Sequence, residues 1–495
     1  INAIQYAVDV IKPLCSVECM EYDAYIFEHN ELIVNADEFI LSNKGKGYKE
    51  LSYLMSSLRT PCPRPIIQTQ KQILKAYGER NSMVPQLSGR LGNYLLPKMI
   101  DKFVDNFIGD EDVLLTFREN QIEVNTEALE EWIRTQDSNV VKQLMADDTY
   151  TVYEHKLNDY QYILKRLPKP SLDDNPQTVY SSPQAIAYQE KKINALFCPV
   201  VKEIKRRLLS VLRKDKIIYC DMTPETLEEI MNLRFPVKNY KQKVFRRVEI
   251  DFSKYDKSQS ELALALEVEI LIMLGFPVKL IPVWIHMHNI STLTNRDEGF
   301  KGKVQYQRKS GDAMTFLGNT VYLMISMATV LDVKEDFCLF SGDDSMVFTL
   351  KDRDLEDAMQ YFASVFNLEA KLLEYKIPYF CSKFLLPLDL LGWILVPDVW
   401  KLMIKLGRSD LLDEEHAKEY RISLIDTTKS LGNELIYEDL DEAMIDRYKI
   451  SSGLRYCYSA IYWLVRDENQ YKKLYYRGEN YVEREKVTKR PSLEI

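Results

Sequence analysis

Glycine and proline are scarce in this chain, at 17 and 19 of 495 residues. Low-complexity linkers are thereby excluded, and no internal repeat is visible. The eight cysteines are scattered, and the closest pair, Cys15 and Cys19, does not form a C-x-x-C motif. A disulfide framework is not expected; reduced, intracellular thiols are. Histidine is rarer still, with five residues. His286-Met287-His288 has no cysteine or third ligand close in sequence, so two ordinary polar side chains are the simpler reading than a zinc site. No secretory signal is present, and the start at Ile1 rather than Met reads as a fragment or a product of polyprotein or fusion translation. No run is apolar enough to span lipid: the best, Phe384 to Ile404, is broken by Asp389, Asp398, Lys401 and two prolines. Positive charge is in deficit, with net charge −9 and pI near 5.4. A protein coated in basic surface is excluded, whereas a local basic channel is not.

What is present supports a real core. Hydrophobic residues make up 46% of the chain, and the length suits one large multi-lobed enzyme or two to four ordinary domains. Residues 60 to 150 read as mainly helical after a proline-rich start. Basic residues then predominate to about 215, including Lys165, Arg166, Lys169, Lys191 and Lys192, with another basic stretch from Lys241 to Arg247. Each such cluster alone reads as a solvated face. Val248 to Phe252 reads as a buried strand. Glu261 to Leu274 alternates like a strand, but its Leu/Ala/Glu content and length favour a helix. Thr315 to Leu331, apolar nearly all round, reads as a buried helix. Asp354 to Phe366 is a further helix, Tyr379 to Leu386 a short strand or hairpin, and the last third mostly helical, with a charged end that frays from about 470. The order is a mixed α+β arrangement.

The chemistry concentrates in three places. Ser341-Gly342-Asp343-Asp344-Ser345 lies between two apolar runs, a strand–turn–strand pattern with two carboxylates at its tip. Gly-Asp is also ordinary turn chemistry, but two charges at one tip repel unless a divalent cation sits there. Asp251 ends the predicted buried strand; it is either a turn or helix-capping residue, or a second carboxylate that shares two Mg²⁺ ions with the hairpin. Ser310-Gly311 reads as a flexible loop entering the buried helix. Thr315 and Asn319, four apart, share one face of that helix and need hydrogen bonds in the core or from a ligand. A ribose 2′-hydroxyl would suit Asn319 together with Asp256.

These stretches in this order (DFSKYDKSQ, QRKSGDAMTFLGNT and SGDDS) resemble motifs A, B and C of viral RNA-dependent RNA polymerases of the alphavirus-like supergroup. Asn367 to Lys371 resembles motif D, Pro378 to Phe384 motif E, and Trp393 to Arg408 the start of the thumb. Lys165 to Asp173 is similar to the basic motif F, followed by Lys192 to Ala195, and Arg80-Asn81 with Val84-Pro85 to a fingers element. The resemblance spans roughly residues 60 to 410, and among plant viruses looks closest to bromovirus and closterovirus replicases.

The resemblance implies a right-hand polymerase with an antiparallel-sheet palm. Residues 1–59 would be an N-terminal extension, 60–235 the fingers, and 236–385 the palm with a fingers insertion near 276–309. Residues 386–470 would form the thumb and 471–495 a tail. It implies Asp251 and Asp343 as principal metal ligands with Asp344 supporting, Mg²⁺ as the ion and Mn²⁺ as a substitute. Asp256 and Asn319 would test the ribose, while Ser310, Gly311 and Thr315 would position template and nucleotide. Lys371, with Lys376 as its rival, would be the general acid for pyrophosphate. Lys165, Lys169 and Arg308 would neutralise phosphates. The family often has a further lysine where this chain has Ser171, so Lys191 or Lys192 would have to compensate. The partners implied are an RNA template and product, NTPs, and helicase and capping domains of a replicase, with membrane association only indirect, in the host cytoplasm. Two other classes stay open: another palm enzyme using deoxynucleotides, against which Asp256 and Asn319 speak, and a non-enzymatic RNA-binding subunit, against which the three carboxylates speak.

Overall fold

The computed structural model describes residues 1–13, 31–36, 38–42, 53–63, 65–66, 68–82, 84, 90–145, 156–167, 169 and 183–476. Cys15, Cys19, Pro85, Pro168, residues 170–173 and the end beyond 476 lie outside them. Among the described residues no helix is long and apolar enough to cross a membrane.

A five-stranded sheet forms the centre. Its order is Glu369–Glu374, Arg246–Ser253, Asp344–Thr349, Phe337–Ser341 and Lys216–Ile218. The first four strands are antiparallel and the last pairs in parallel. The second strand, Arg246–Ser253, shows why one face is dry. Val248, Ile250 and Phe252 point into the main apolar cluster, so by the two-residue period Glu249 and Asp251 point the other way.

The helix Thr315–Val330 fills the dry face. Its sequence carries no charged side chain, and Leu323, Met324, Ile325 and Met327 are 0% exposed. It packs against the helices Arg90–Phe107, Glu261–Met273 and Leu355–Phe366. The last is bounded by local chemistry. Asp354 accepts from the N–H groups of Glu356 and Asp357, and Asn367 ends the helix in the left-handed region at φ 58°. That reversal delivers the strand Glu369–Glu374 to the sheet edge.

The expected elements form close to where their periodicity places them, but two pairings are long-range. Ile290–Asn295 and Phe300–Gln305 leave the central sheet and join Phe39–Leu41, Asp159–Leu164 and Ala185–Tyr188 in a second five-stranded sheet. Lys216–Ile218 joins the central sheet from ahead of the boundary drawn at 236. A meander of Tyr379–Phe380, Lys383–Leu388 and Gly392–Pro397 follows. Its first turn holds Cys381 and Ser382 both at positive φ, as a two-residue hairpin loop of the type I′ kind requires. The helices Val399–Leu406, Glu414–Thr427, Tyr437–Tyr448 and Arg455–Arg466 share a separate apolar cluster with Ile4, Ala7 and Val8 of the first helix.

Leu323→Ala should lower stability by about 2–5 kcal/mol, because it opens a cavity in the buried helix. Val244→Ala, at a residue 93% exposed, should stay within about 0.5 kcal/mol. Urea unfolding followed by circular dichroism checks both.

Candidate active site

The Gly-Asp-Asp stretch is a hairpin turn. Ser341 pairs with Asp344, leaving Gly342 and Asp343 as the two loop residues. Gly342 has φ +63° with open space where a Cβ would go, so backbone conformation and not crowding requires glycine there. Two bonds hold the turn from below: the Gly342 N–H donates to Thr320 Oγ1 at 2.9 Å, and Ser341 Oγ donates to the Tyr219 carbonyl at 3.2 Å.

Register assembles the rest. Ser345 lies opposite Ile250, so one step further Asp344 comes opposite Asp251. On the other side Lys371 lies directly opposite Asp251. Opposed residues of an antiparallel pair share a face, so Asp344, Asp251 and Lys371 form a row on the face away from the buried helix. All three are exposed. Lys376 is engaged elsewhere, with its N–H donating to Asp446 and its Nζ 3.4 Å from Glu442.

The carboxylates are crowded. Although the Asp344 side chain still reaches solvent, the protein packed around it, then the neighbouring Asp343, with Glu249 adding, push its carboxyl up to about 6 against the pull of Lys401. Among the described residues no three Asp, Glu, His or Cys side chains converge into a preformed metal cage. The donor set still fits a hard cation: the candidates are carboxylates alone, and Asp343 beside Asp344 makes that charge less favourable than on an isolated aspartate. Behind the row, Arg447 makes a two-pronged bond to Glu249 at 2.9 Å each and lies 3.5 Å from the centre of the Tyr379 ring. Tyr379 and Tyr448 both donate to Asp398. The helix Tyr437–Tyr448 is thus tied to the strand Arg246–Ser253.

Beside the turn, Asn319 Nδ2 donates to Asp256 Oδ1 at 2.9 Å. Burial raises the Asp256 carboxyl and Asp343 adds to this, while the Asn319 bond, Arg308 and Lys165 oppose it. Asp343 and Lys165 are therefore both within electrostatic reach of Asp256. Lys165 and Lys169 are exposed.

Three expectations change. Ser310-Gly311 is docked and not free: the Gly311 N–H donates to the Ala187 carbonyl at 2.8 Å, and a Cβ there would lie 2.5 Å from Tyr188 Cβ. Thr315 Oγ1 closes the same loop by donating to the carbonyls of Lys309 at 2.6 Å and Asp312 at 3.0 Å. Arg308 points inward. Its side chain is 5% exposed and pairs with Glu267 at 2.5 Å, which takes it away from any phosphate in solvent. His288 is no ordinary polar side chain either, since both ring nitrogens face acceptors, the Trp284 carbonyl and Asp312 Oδ2. Sequence reasoning missed Thr320, Glu267 and Gly318. A hydroxyl at Thr320, a carboxylate within the apolar segment Glu261–Met273, and a glycine inside a buried helix were the available signals.

Thr320→Val should cost about 1–3 kcal/mol by leaving the Gly342 N–H without its acceptor, and should lower any activity of the turn; thermal unfolding reads the first. Lys309 generates a pH prediction. Burial pulls its ammonium down to about 7 from 10.5, against the attraction of Asp312. Between those values the unfolded chain binds more protons than the folded one, so stability rises with pH at up to about 1.4 kcal/mol per unit. Lys309→Met should remove that slope, and urea unfolding at pH 7, 8 and 9 measures it.

A family model described as RNA dependent RNA polymerase matches residues 38–474. The chain is 34% identical over 405 residues to the RNA replication protein of Citrus leprosis virus C, covering 81% of this chain and 16% of that protein. It is 32% identical over 486 residues to the replicase large subunit of Tobamovirus Ob, covering 96% and 29%. It is 31% identical over 490 residues to the replicase large subunit of Odontoglossum ringspot virus, covering 97% and 29%. The supergroup resemblance holds.

Proposed function

We propose, for a chain that belongs to the RNA-dependent RNA polymerase family, template-directed transfer of a nucleoside monophosphate from an NTP to an RNA 3′-hydroxyl, with release of pyrophosphate. The observation that carries it is the register row of Asp344, Asp251 and Lys371, with Asp343 at the turn tip and the Asp256–Asn319 pair alongside.

Asp251 and Asp343 are the principal holders of divalent cations and Asp344 supports them, with Mg²⁺ the ion and Mn²⁺ a substitute. Such ions, when bound, neutralise charge on the transferred phosphoryl group and its attacking and leaving oxygens. The protein's own part is mostly positioning. Asp256 and Asn319 bond the ribose 2′-hydroxyl. The docked Ser310-Gly311 loop, closed by Thr315, shapes the floor beneath template and nucleotide. Lys165 and Lys169 neutralise phosphates. Lys371, on the same face as Asp251, is placed to give a proton to departing pyrophosphate. In this reading the central sheet is the palm, the second sheet and upstream helices are fingers, and the C-terminal helices are the thumb. Because the chain spans 16% to 29% of the relatives named above, helicase and capping functions are assigned to further replicase domains acting with it on cytoplasmic, membrane-associated complexes.

The test is NTP incorporation on a short RNA primer-template with Mg²⁺ or Mn²⁺. Asp343→Asn should lower synthesis by at least about a thousandfold and leave RNA binding intact. Synthesis at the wild-type rate would remove Asp343 from the metal site, and a preference for dNTPs over rNTPs would overturn the RNA-polymerase reading.

A further inference from the structure

We infer that the buried Glu267–Arg308 ion pair is a positioning device for Asn319, fixing which end of its amide faces Asp256 and so setting discrimination between ribose and deoxyribose. The inference rests on the ribose assignment above and deepens it.

An asparagine amide has a donor end and an acceptor end of nearly the same shape, and its surroundings decide which way it points. Here Asn319 Oδ1 accepts from Gln259 Nε2 at 2.6 Å and from Arg308 Nε at 3.2 Å. Two donors on that side leave Nδ2 to face Asp256. A flipped amide would set Nδ2 against two donors and its oxygen against a carboxylate, which loses every bond at once. The flip matters because a 2′-hydroxyl is both donor and acceptor. A site offering a carboxylate acceptor beside an amide donor satisfies it, and a site offering two acceptors does not.

Arg308 is held to this task from several sides. Nε also donates to Gln259 Oε1 at 3.2 Å, so one N–H spans the two side chains that frame Asn319. Nη2 lies 2.5 Å from Glu267 Oε2, and the other Glu267 oxygen accepts from Trp284 Nε1 at 2.8 Å. The Arg308 backbone N–H donates to the Asp256 carbonyl at 3.0 Å, so the same residue steadies both members of the ribose pair. Gly318, the residue before Asn319, supplies an independent observation. A Cβ there would lie 2.4 Å from Glu267 Oε2 and 2.6 Å from Arg308 Nη2. The helix omits a side chain where the ion pair passes. A buried ion pair adds little net stability compared with apolar packing, so its orientation of Asn319 is the effect that distinguishes it. Lysine cannot replace Arg308, because it lacks the planar fork that reaches Glu267 and Asn319 together.

The experiment uses the full chain and measures kcat and KM for single-nucleotide incorporation of an rNTP and the matching 2′-dNTP. The variants are Arg308→Lys, Glu267→Gln, Gly318→Ala, Asn319→Ala and the double variant Arg308→Lys/Asn319→Ala. Circular dichroism and thermal unfolding establish which are folded, and Glu267→Gln, which preserves shape, serves if Arg308→Lys does not fold. The inference expects the rNTP/dNTP ratio of kcat/KM to fall about tenfold in the ion-pair variants, through a higher rNTP KM with kcat for the dNTP unchanged. It also expects Arg308→Lys to cause no further fall when added to Asn319→Ala. A lowered ratio in Asn319→Ala beside wild-type ratios in the folded ion-pair variants overturns the inference and leaves the ribose assignment standing. A wild-type ratio in Asn319→Ala overturns both.

Discussion

Strand register is the constraint on which the rest depends. Asp344, Asp251 and Lys371 share a face because three antiparallel strands keep one alignment, and a slip of one residue would turn Asp251 towards the apolar helix. Several features hold that alignment. The two-residue turn at Gly342 and Asp343 sets the pairing of its own strands. A one-residue slip would turn Val248, Ile250 and Phe252 out of the apolar cluster. At the far end of the middle strand Arg246 bonds both oxygens of Glu374, at 2.9 and 3.0 Å, and Asp352 at 2.7 Å. These bonds are partly exposed and each contributes little, but they favour the same alignment as the burial.

The buried helix turns that register into a site. It is apolar nearly all round, yet three of its polar residues, Asn319, Thr320 and Tyr322, meet neighbours that matter. Asn319 reaches Asp256, and its carbonyl accepts from Tyr255. Thr320 accepts from Gly342. Tyr322 donates to the Phe366 carbonyl, at the end of the helix that leads to the Lys371 strand. One rigid element therefore touches the segment after the Asp251 strand, the acidic turn and the approach to Lys371. Close packing around it leaves these groups little freedom to drift.

Much of this was legible from local sequence. Most strands and helices followed their patterns, Glu261–Met273 being helical by content and length in spite of its alternation, and Asp343 and Asp344 announced themselves as charges that need a partner. Asp251 and Asn319 stood out as polar groups in apolar surroundings. What was not legible depends on pairing between distant segments. Lys371 faces Asp251 through a register that no local pattern encodes. Ser310-Gly311 read as a free loop because the strand Ala185–Tyr188 that captures it lies far away in sequence. Arg308 read as a phosphate ligand because a basic residue in a polar stretch ordinarily faces water. Only Glu267, the one of three glutamates in that largely apolar helix that is buried, pointed to a buried partner, and that clue becomes specific once the loop carrying Arg308 packs against the helix.

Buried charge near the site has a physical logic of its own. Arg308 lies among Asp256, Glu267 and Asp312, each of which raises its pKa against the effect of burial. Lys309, next in sequence, has no direct ion pair among the described residues and donates to the carbonyls of Tyr306 and His288. Burial lowers its affinity for a proton while it strengthens the hold of the cluster on Arg308. Two adjacent basic residues are thus driven in opposite directions by their surroundings, one fixed as a cation and one able to become neutral. A fold selected for stability alone would have little reason to bury either. The arrangement makes sense where a single, permanently charged donor must face one side of an amide, and where a second cation beside it would compete for the same carboxylates.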